Sequence, residues 1–368
     1  MKNFPAPILA VTILTACNGA STSSNAVPRG VADVTSPTSV RQAAQIASAP
    51  TQLLYVGNAG NNSITVYGYK ASGNIAPLRT ISGPQTEIDS PGQLSQDVDG
   101  NLYVANGRQG ARSAHPAVLV FAHGANGNVA PIRTIAGPLT GLHNVGALAV
   151  DQTTGNVFVV NLPDGLGATG TLLRFSSNAT GNAAPSLRSA HTLPPALQLT
   201  FNSTNENLII GHYIYEPEGA TAGIRTVAKQ FPNHGVPKDL YEISWFPGYG
   251  VVDDRTTKTY FASSDGIYRL AEDTVGIGPN NPSEKETFKP KPLSVITSDT
   301  CGGQLALAQG LEPDIYVTHS AAVAPWPICP SDAVYVYAHD ANGKANPLRI
   351  LTGAATLLNG PSGIYVGI

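Results

Sequence analysis

The feature that most constrains this chain is a turn that comes back every 54 residues. Gly73-Asn74-Ile75-Ala76-Pro77 returns as Gly127-Asn128-Val129-Ala130-Pro131 and again as Gly181-Asn182-Ala183-Ala184-Pro185. A fourth, altered copy, Gly343-Lys344-Ala345-Asn346-Pro347, lies 162 residues beyond the third, which is three periods. The apolar run before each turn keeps the same register: Ile64–Tyr67, Val118–Phe121, Leu172–Phe175 and Val334–Tyr337. The first and last of these runs stand 270 residues apart, five periods, so six units fit between about residue 50 and residue 368. A fixed period of this length marks a repeat architecture, in which each unit buries its faces against its neighbours.

Each unit contains four strand-like runs. In the second they are Gly92–Gln96, Leu102–Asn106, Ala117–Phe121 and Pro131–Ile135, with the turn Asp97 to Asn101 joining the first two. Alternation and β-branched or aromatic residues mark the strands; Asp, Gly and Asn mark the turn. The 38 Gly and 29 Pro supply turns throughout the chain and argue against helical bundles. Four strands per unit of this length predict an all-β fold: a six-bladed β-propeller of four-stranded blades. The first unit opens on Leu54-Tyr55-Val56-Gly57-Asn58, which matches a second strand, and the chain ends on an unpartnered inner strand, Ser362–Ile368. The simplest solution places Ser362–Ile368 innermost in the blade of residues 51–82, so that the C-terminal inner strand closes the ring.

The less regular middle is read as two further blades. One uses Leu197–Phe201, Leu208–His212, Val227–Phe231 and Leu240–Ser244; the next uses Tyr249–Asp253, Tyr260–Ser264, Ile267–Leu270 and Leu293–Thr297. Between the last two runs lies a long polar insertion, about Ala271–Pro292.

The segments Asn101-Leu102-Tyr103-Val104-Ala105-Asn106 and Gly146-Ala147-Leu148-Ala149-Val150-Asp151 carry a pattern that resembles the NHL-repeat class of propellers, over about residues 50–368. The resemblance implies the fold and little about activity, because that scaffold hosts lactonases, lyases and pure binding modules. It also implies that loops between blades, and between second and third strands, share the face that carries a site. His115, His143, His212 and His319 map to that face, with Arg108, Arg112, Tyr213, Tyr215, Glu216, Glu218, Trp245, Phe246, Asp299 and Trp326.

The ends of the six second strands give equivalent polar positions: Asn58, Asn106, Asn161, His212, Ser264 and His319. Two readings are open. Such residues brace loop backbone at blade tips, or they form a polar channel mouth that binds a ligand, with Asn144 beside them. In gluconolactonase-like propellers a divalent ion sits in this mouth on Glu, Asn and Asp. Here Asn144 and Asn161 match the amide positions, but no Glu occupies an inner-strand start, and only Asp299 is near enough to substitute. With no spaced His pair either, no metal and no cofactor are expected. No Gly-x-Ser-x-Gly elbow points to a nucleophilic serine.

The N-terminus reads as an address. Residues 1–16 form a signal peptide with an apolar run from Phe4 to Thr15, and Leu14-Thr15-Ala16-Cys17 resembles a bacterial lipobox, so Cys17 would take the lipid. Asn18 then permits sorting to an outer membrane or cell surface. Residues 17–49, rich in Ser, Thr, Ala and Pro, read as a flexible tether. An ordinary signal peptide with a chance cysteine is the other reading. The remaining pair, Cys301 and Cys329, suits a disulfide in an exported protein, which would contribute roughly 3 kcal/mol; two buried free thiols are the alternative.

Charged residues are 12% of the chain and the net charge is −3, with no Lys/Arg run, which excludes nucleic acid as an expected partner. Two function classes remain. One is a lipid-anchored module that binds a small molecule, sugar or protein and touches the membrane through its anchor alone. The other is a lactonase-like hydrolase or lyase acting at the channel mouth.

Overall fold

The computed structural model describes residues 52–107, 115–162, 170–189, 193, 196–202, 207–216, 219–228, 238–244, 248–253, 258–263, 265–271, 292–299, 301, 303–308, 313–321 and 329–368. For residues 197, 207 and 212–253 only the backbone is described. The signal peptide, Cys17, the tether and most of the 271–292 insertion lie outside these residues.

The strands, in chain order, are β1 (Leu53–Asn58), β2 (Ser63–Gly68), β3 (Arg79–Ser82), β4 (Leu94–Gln96), β5 (Leu102–Asn106), β6 (Ala117–Phe121) and β7 (Arg133–Ile135). Then come β8 (Val145–Val150), β9 (Val157–Asn161), β10 (Thr171–Phe175), β11 (Leu187–Arg188), β12 (Ala196–Asn202), β13 (Asn207–Glu216), β14 (Gly219–Ala228) and β15 (Lys238–Ser244). The rest are β16 (Gly248–Asp253), β17 (Lys258–Ser263), β18 (Gly266–Ala271), β19 (Ser294–Ile296), β20 (Leu305–Leu307), β21 (Ile315–His319), β22 (Ala333–Tyr337), β23 (Arg349–Thr352) and β24 (Pro361–Gly367). They form four-stranded antiparallel sheets, the blades of a β-propeller. The first has the order β24-β1-β2-β3; β4–β7, β8–β11, β12–β15, β16–β19 and β20–β23 make the others, numbered here in that order. In the first sheet the C-terminal strand β24 pairs with β1, setting Leu54 against Val366 and Val56 against Ile364.

The core lies between sheets, because strands with apolar residues on both sides must cover two faces. Along β1 the alternation is visible: Tyr55 packs with Leu94, Leu102 and Leu119 of the second sheet. Its neighbours Leu54 and Val56 pack with Tyr316, Val334 and Leu351 of the sixth. A third cluster joins Tyr103, Val118 and Ile135 to Leu148, Val159 and Leu173, and a fourth joins Phe158 and Val160 to Leu199, Leu208 and Ile210. Another joins Tyr260 and Ile267 to Leu305, Ile315 and Tyr337. Each such side chain, buried from water, is worth about 1.5–3 kcal/mol, so stability resides in blade-on-blade contact.

The repeated turn grips the preceding blade. Gly127 N donates to Thr80 O (2.7 Å) and Ser82 N donates to Gly127 O (3.2 Å), a short parallel bridge from the second sheet to β3. Gly181 repeats it on Ile135, Gly343 on Ile296 and Gly73 on Leu351 of the last sheet. These glycines have φ between +58° and +76°, the left-handed region that side chains avoid. The next residue completes the grip: Asn128 Oδ1 accepts from Gln85 N (2.8 Å), Asn182 Oδ1 from Leu139 N (2.7 Å) and Asn74 Oδ1 from Ala355 N (2.7 Å).

The fourth blade departs from the sequence expectation. The sequence places its third strand at Val227–Phe231, but that strand runs over Gly219–Ala228, pairing residue for residue with Asn207–Glu216. The apolar and β-branched pattern continues past His212 through Tyr213, Ile214 and Tyr215, so the hairpin extends instead of ending there. Tyr213, Tyr215 and Glu216 therefore lie on a strand rather than a loop.

Candidate functional site

The ring of strand-end residues divides sharply. Asn58, Asn106 and Asn161 close β1, β5 and β9 and are buried. Asn106 Oδ1 accepts from Asp89 N (2.7 Å), while its Nδ2 donates to Glu87 O (3.2 Å) and His115 O (3.1 Å). Asn161 Oδ1 accepts from His143 N (2.8 Å) and Asn144 N (3.4 Å), and its Nδ2 donates to Gly141 O (2.8 Å). Asn58 Oδ1 accepts from Asn359 N (3.1 Å) and its Nδ2 donates to Thr65 Oγ1 (3.1 Å). An amide offers two donor hydrogens and one acceptor oxygen. These amides thus hold the loop that leads into their own blade and have little capacity left for a ligand. Asn144, also buried, lies beside Asn161 in that network.

His212 is not at a strand end: it sits inside β13, opposite Ala196 on one side and Gly223 on the other. Ser264, Trp245, Phe246, Trp326, Arg108, Arg112 and Glu218 lie outside the described residues.

His319 closes β21 and is buried against Asp299, its Nε2 standing 2.9 Å from Oδ2 and 3.1 Å from Oδ1. Tyr335 stacks on the imidazole at a centroid distance of 4.0 Å. Burial pushes the Tyr337 hydroxyl well above the usual phenol range, and the neighbouring Asp299 charge and its hydrogen bond push it further. Next to this group Cys301 and Cys329 form the expected disulfide, with Cα atoms 5.7 Å apart. Cys301 N donates to Asp299 Oδ1 (3.3 Å), so one carboxylate orients the loop and the histidine together.

The innermost layer carries an arrangement that sequence reading missed. Gln93 Nε2 donates to Leu199 O (2.5 Å), and Gln93 Oε1 accepts from Leu199 N (2.9 Å) and Leu148 N (3.1 Å). Gln198 treats Leu305 the same way, at 2.5 and 2.9 Å. One amide therefore ties the second sheet to the third and fourth, and another ties the fourth to the sixth. Gln304 stands 106 residues after Gln198, itself 105 after Gln93, so Gln-Leu recurs at every second unit. That spacing was the available signal.

A second missed signal is Gly83-Pro84-Gln85-Thr86, which returns as Gly137-Pro138-Leu139-Thr140 and Gly353-Ala354-Ala355-Thr356 in the 54-residue register. Each forms a single 3-10 turn after an outer strand, and its threonine hydroxyl donates back to the glycine carbonyl at 2.6–2.7 Å.

Two of these turns border a cavity of about 820 Å³ beside the second sheet, between the loops that lead into and out of it. Ile88, Leu119, Leu142, Pro84 and Pro138 give it apolar walls, while Glu87, Asp89, His115 and His143 stand at its rim. His115 Nδ1 lies 4.0 Å from Asp89 Oδ2, both side chains exposed. His115 and His143 are thus on the face the sequence assigned to them, in a groove beside Asn106 rather than in a channel.

No family model matches the chain, and no curated protein matches it. Among solved structures, similarity extends to a Bacteroides caccae protein of unknown function, 11% identical over 86% of this chain and 98% of that one (TM-score 0.48). The Kuenenia stuttgartiensis hydrazine synthase is 14% identical over 60% of this chain and 62% of its own (TM-score 0.45). The Dos1 propeller is 11% identical over 84% and 68% (TM-score 0.43). The functional reading rests on the residues of this chain.

Proposed function

We propose that this protein is an exported, lipid-anchored binding module, an NHL-like propeller of six blades closed into one ring, which docks an extended peptide in the groove beside its second blade, between the loops that lead into and out of that blade. The observation that carries the reading is the contrast between two neighbouring sets of side chains. The strand-end asparagines are consumed by loop backbone, whereas the cavity beside them presents apolar walls and a rim of four polar side chains. Small sites of this build bury an apolar group and orient it with a few polar contacts. Among the described lining residues there is no Phe, Tyr or Trp ring on which a sugar could stack, which favours an apolar peptide side chain.

The ring and anchor belong to the same reading. The bridge from Gly73 to Leu351 and the pairing of β24 with β1 support a ring joined at its two chain ends. Leu14-Thr15-Ala16-Cys17 supports lipidation, and Cys17→Ser should move the protein out of the detergent phase of a Triton X-114 partition.

A peptide array probed with the purified propeller tests the function. Selected peptides should share an apolar residue, and Thr134→Trp, which fills the cavity from a half-buried wall position, should weaken them at least tenfold. His115→Ala with His143→Ala should weaken them too, with an unchanged melting temperature, since both imidazoles are exposed. Binding that ignores all three substitutions would remove the groove from consideration.

A further inference from the structure

We propose that Cys301, Cys329 and His319 are a thiolate-rich metal site when the disulfide is open, taking one zinc-like divalent cation per chain. The two Sγ atoms and a ring nitrogen of His319 lie within 4.8 Å of one another, close enough for one cation to touch all three. Cys329 and His319 are buried, so the donors are arranged by the fold rather than by chance at a surface. The carboxylate of Asp299, itself buried, accepts from His319 Nε2 at 2.9 Å. A metal-bound histidine commonly has such a partner on its other nitrogen, which fixes the tautomer and strengthens the donor. With Nε2 donating to Asp299, Nδ1 keeps the lone pair. The ring is held further by Tyr335 stacked on its face. Two thiolates and one imidazole suit zinc or another soft cation and leave a fourth position for water. The cluster is built not from carboxylates or a spaced histidine pair but from two distant cysteines and a strand end.

The chemistry balances with a dithiol reductant. Two electrons and two protons from that dithiol, which becomes a disulfide itself, break the Cys301–Cys329 bond and give two thiols. Metal binding then releases both thiol protons to solvent, and each thiolate donates an electron pair. The oxidised chain lacks the thiolates and the cation cannot be held, so the site is gated by redox state.

The test is an anaerobic titration of the reduced, full-length protein with Co²⁺, with circular dichroism recorded on the same sample. The expected result is one equivalent bound with an intense sulfur-to-cobalt charge-transfer band, displaced by Zn²⁺. The oxidised protein should show no such band, and Cys301→Ser should lose it. His319→Ala should bind at least tenfold more weakly with altered visible bands, whereas Asp299→Asn should keep the sulfur band and weaken binding less. The proposal is overturned if the reduced protein binds no Co²⁺, if it unfolds on reduction, or if His319→Ala leaves affinity and spectrum unchanged.

Discussion

Gly83 and Asn128 belong to neighbouring blades, and a Cβ on Gly83 would sit 2.6 Å from Asn128 Cγ. The same asparagine accepts from Gln85 N, so the glycine is small in order to let the next blade's turn reach the backbone beside it. Gly137 with Asn182, and Gly353 with Asn74, repeat the relationship. Gly83→Ala should therefore destabilise through both the clash and a φ of +117°, by about 1–3 kcal/mol. In an Asn128→Ala background the same change should cost less, because the clashing amide is gone. Urea denaturation of the four proteins in the cycle measures the coupling; strictly additive effects would contradict the latch.

Gln93→Leu should lower stability by about 3 kcal/mol. It deprives Leu199 of both its partners and Leu148 of one, leaving buried backbone groups unsatisfied at roughly 1–3 kcal/mol each. Gln93→Glu in its neutral, protonated form keeps an acceptor for both N–H groups and an O–H donor for Leu199 O, and should be the milder variant. Thermal melts of the two variants decide whether the glutamines tie alternate blades.

Removing residues 362–368 should cause a large loss of thermal stability. It strips the inner strand from β1, and with it Ile364 and Val366 from the contact with the sixth sheet. It also removes Ile368, whose carbonyl accepts from Tyr55 Oη (2.7 Å) and Gln96 Nε2 (3.0 Å). A truncated protein that melts like the full chain would refute the proposed ring closure.

Alkaline pH should destabilise the fold between pH 10 and 12. Burial raises the phenols of Tyr67 and Tyr316 from 10.0 to about 12. Between those values the unfolded chain loses these protons while the folded chain keeps them, so ionisation pulls towards unfolding and stability falls as pH rises. Tyr67→Phe loses the hydrogen bond to Thr356 O, about 1 kcal/mol at neutral pH, yet should show a shallower alkaline decline. Urea midpoints from pH 8 to 12 for both proteins check the crossing slopes.

The 54-residue period, the four runs per unit and the pairing of the last strand with the first could be read from the chain. Each is a local pattern repeated, and repetition makes a weak local signal legible. Leu102–Asn106 and Ala117–Phe121 coincide with β5 and β6, because apolar alternation and flanking turn residues set strand limits by themselves. The disulfide partners were legible too, because setting Cys17 aside as the expected lipid site leaves one pair, Cys301 and Cys329. What depended on the third dimension was the use of each polar side chain. The strand ends Asn106 and His319 look equivalent in sequence, yet the first binds loop backbone and the second binds Asp299, because the loops they meet differ. His212 falls inside its strand because the hairpin continues on pairing with Gly219–Ala228, which only the opposing strand supplies. The groove beside Asn106, the reach of Gln93 to Leu199 and the meeting of Cys301, Cys329 and His319 join residues far apart in the chain. Local pattern fixes a blade, but the distances across and between blades follow from how the sheets pack, and chemistry at a site depends on those distances.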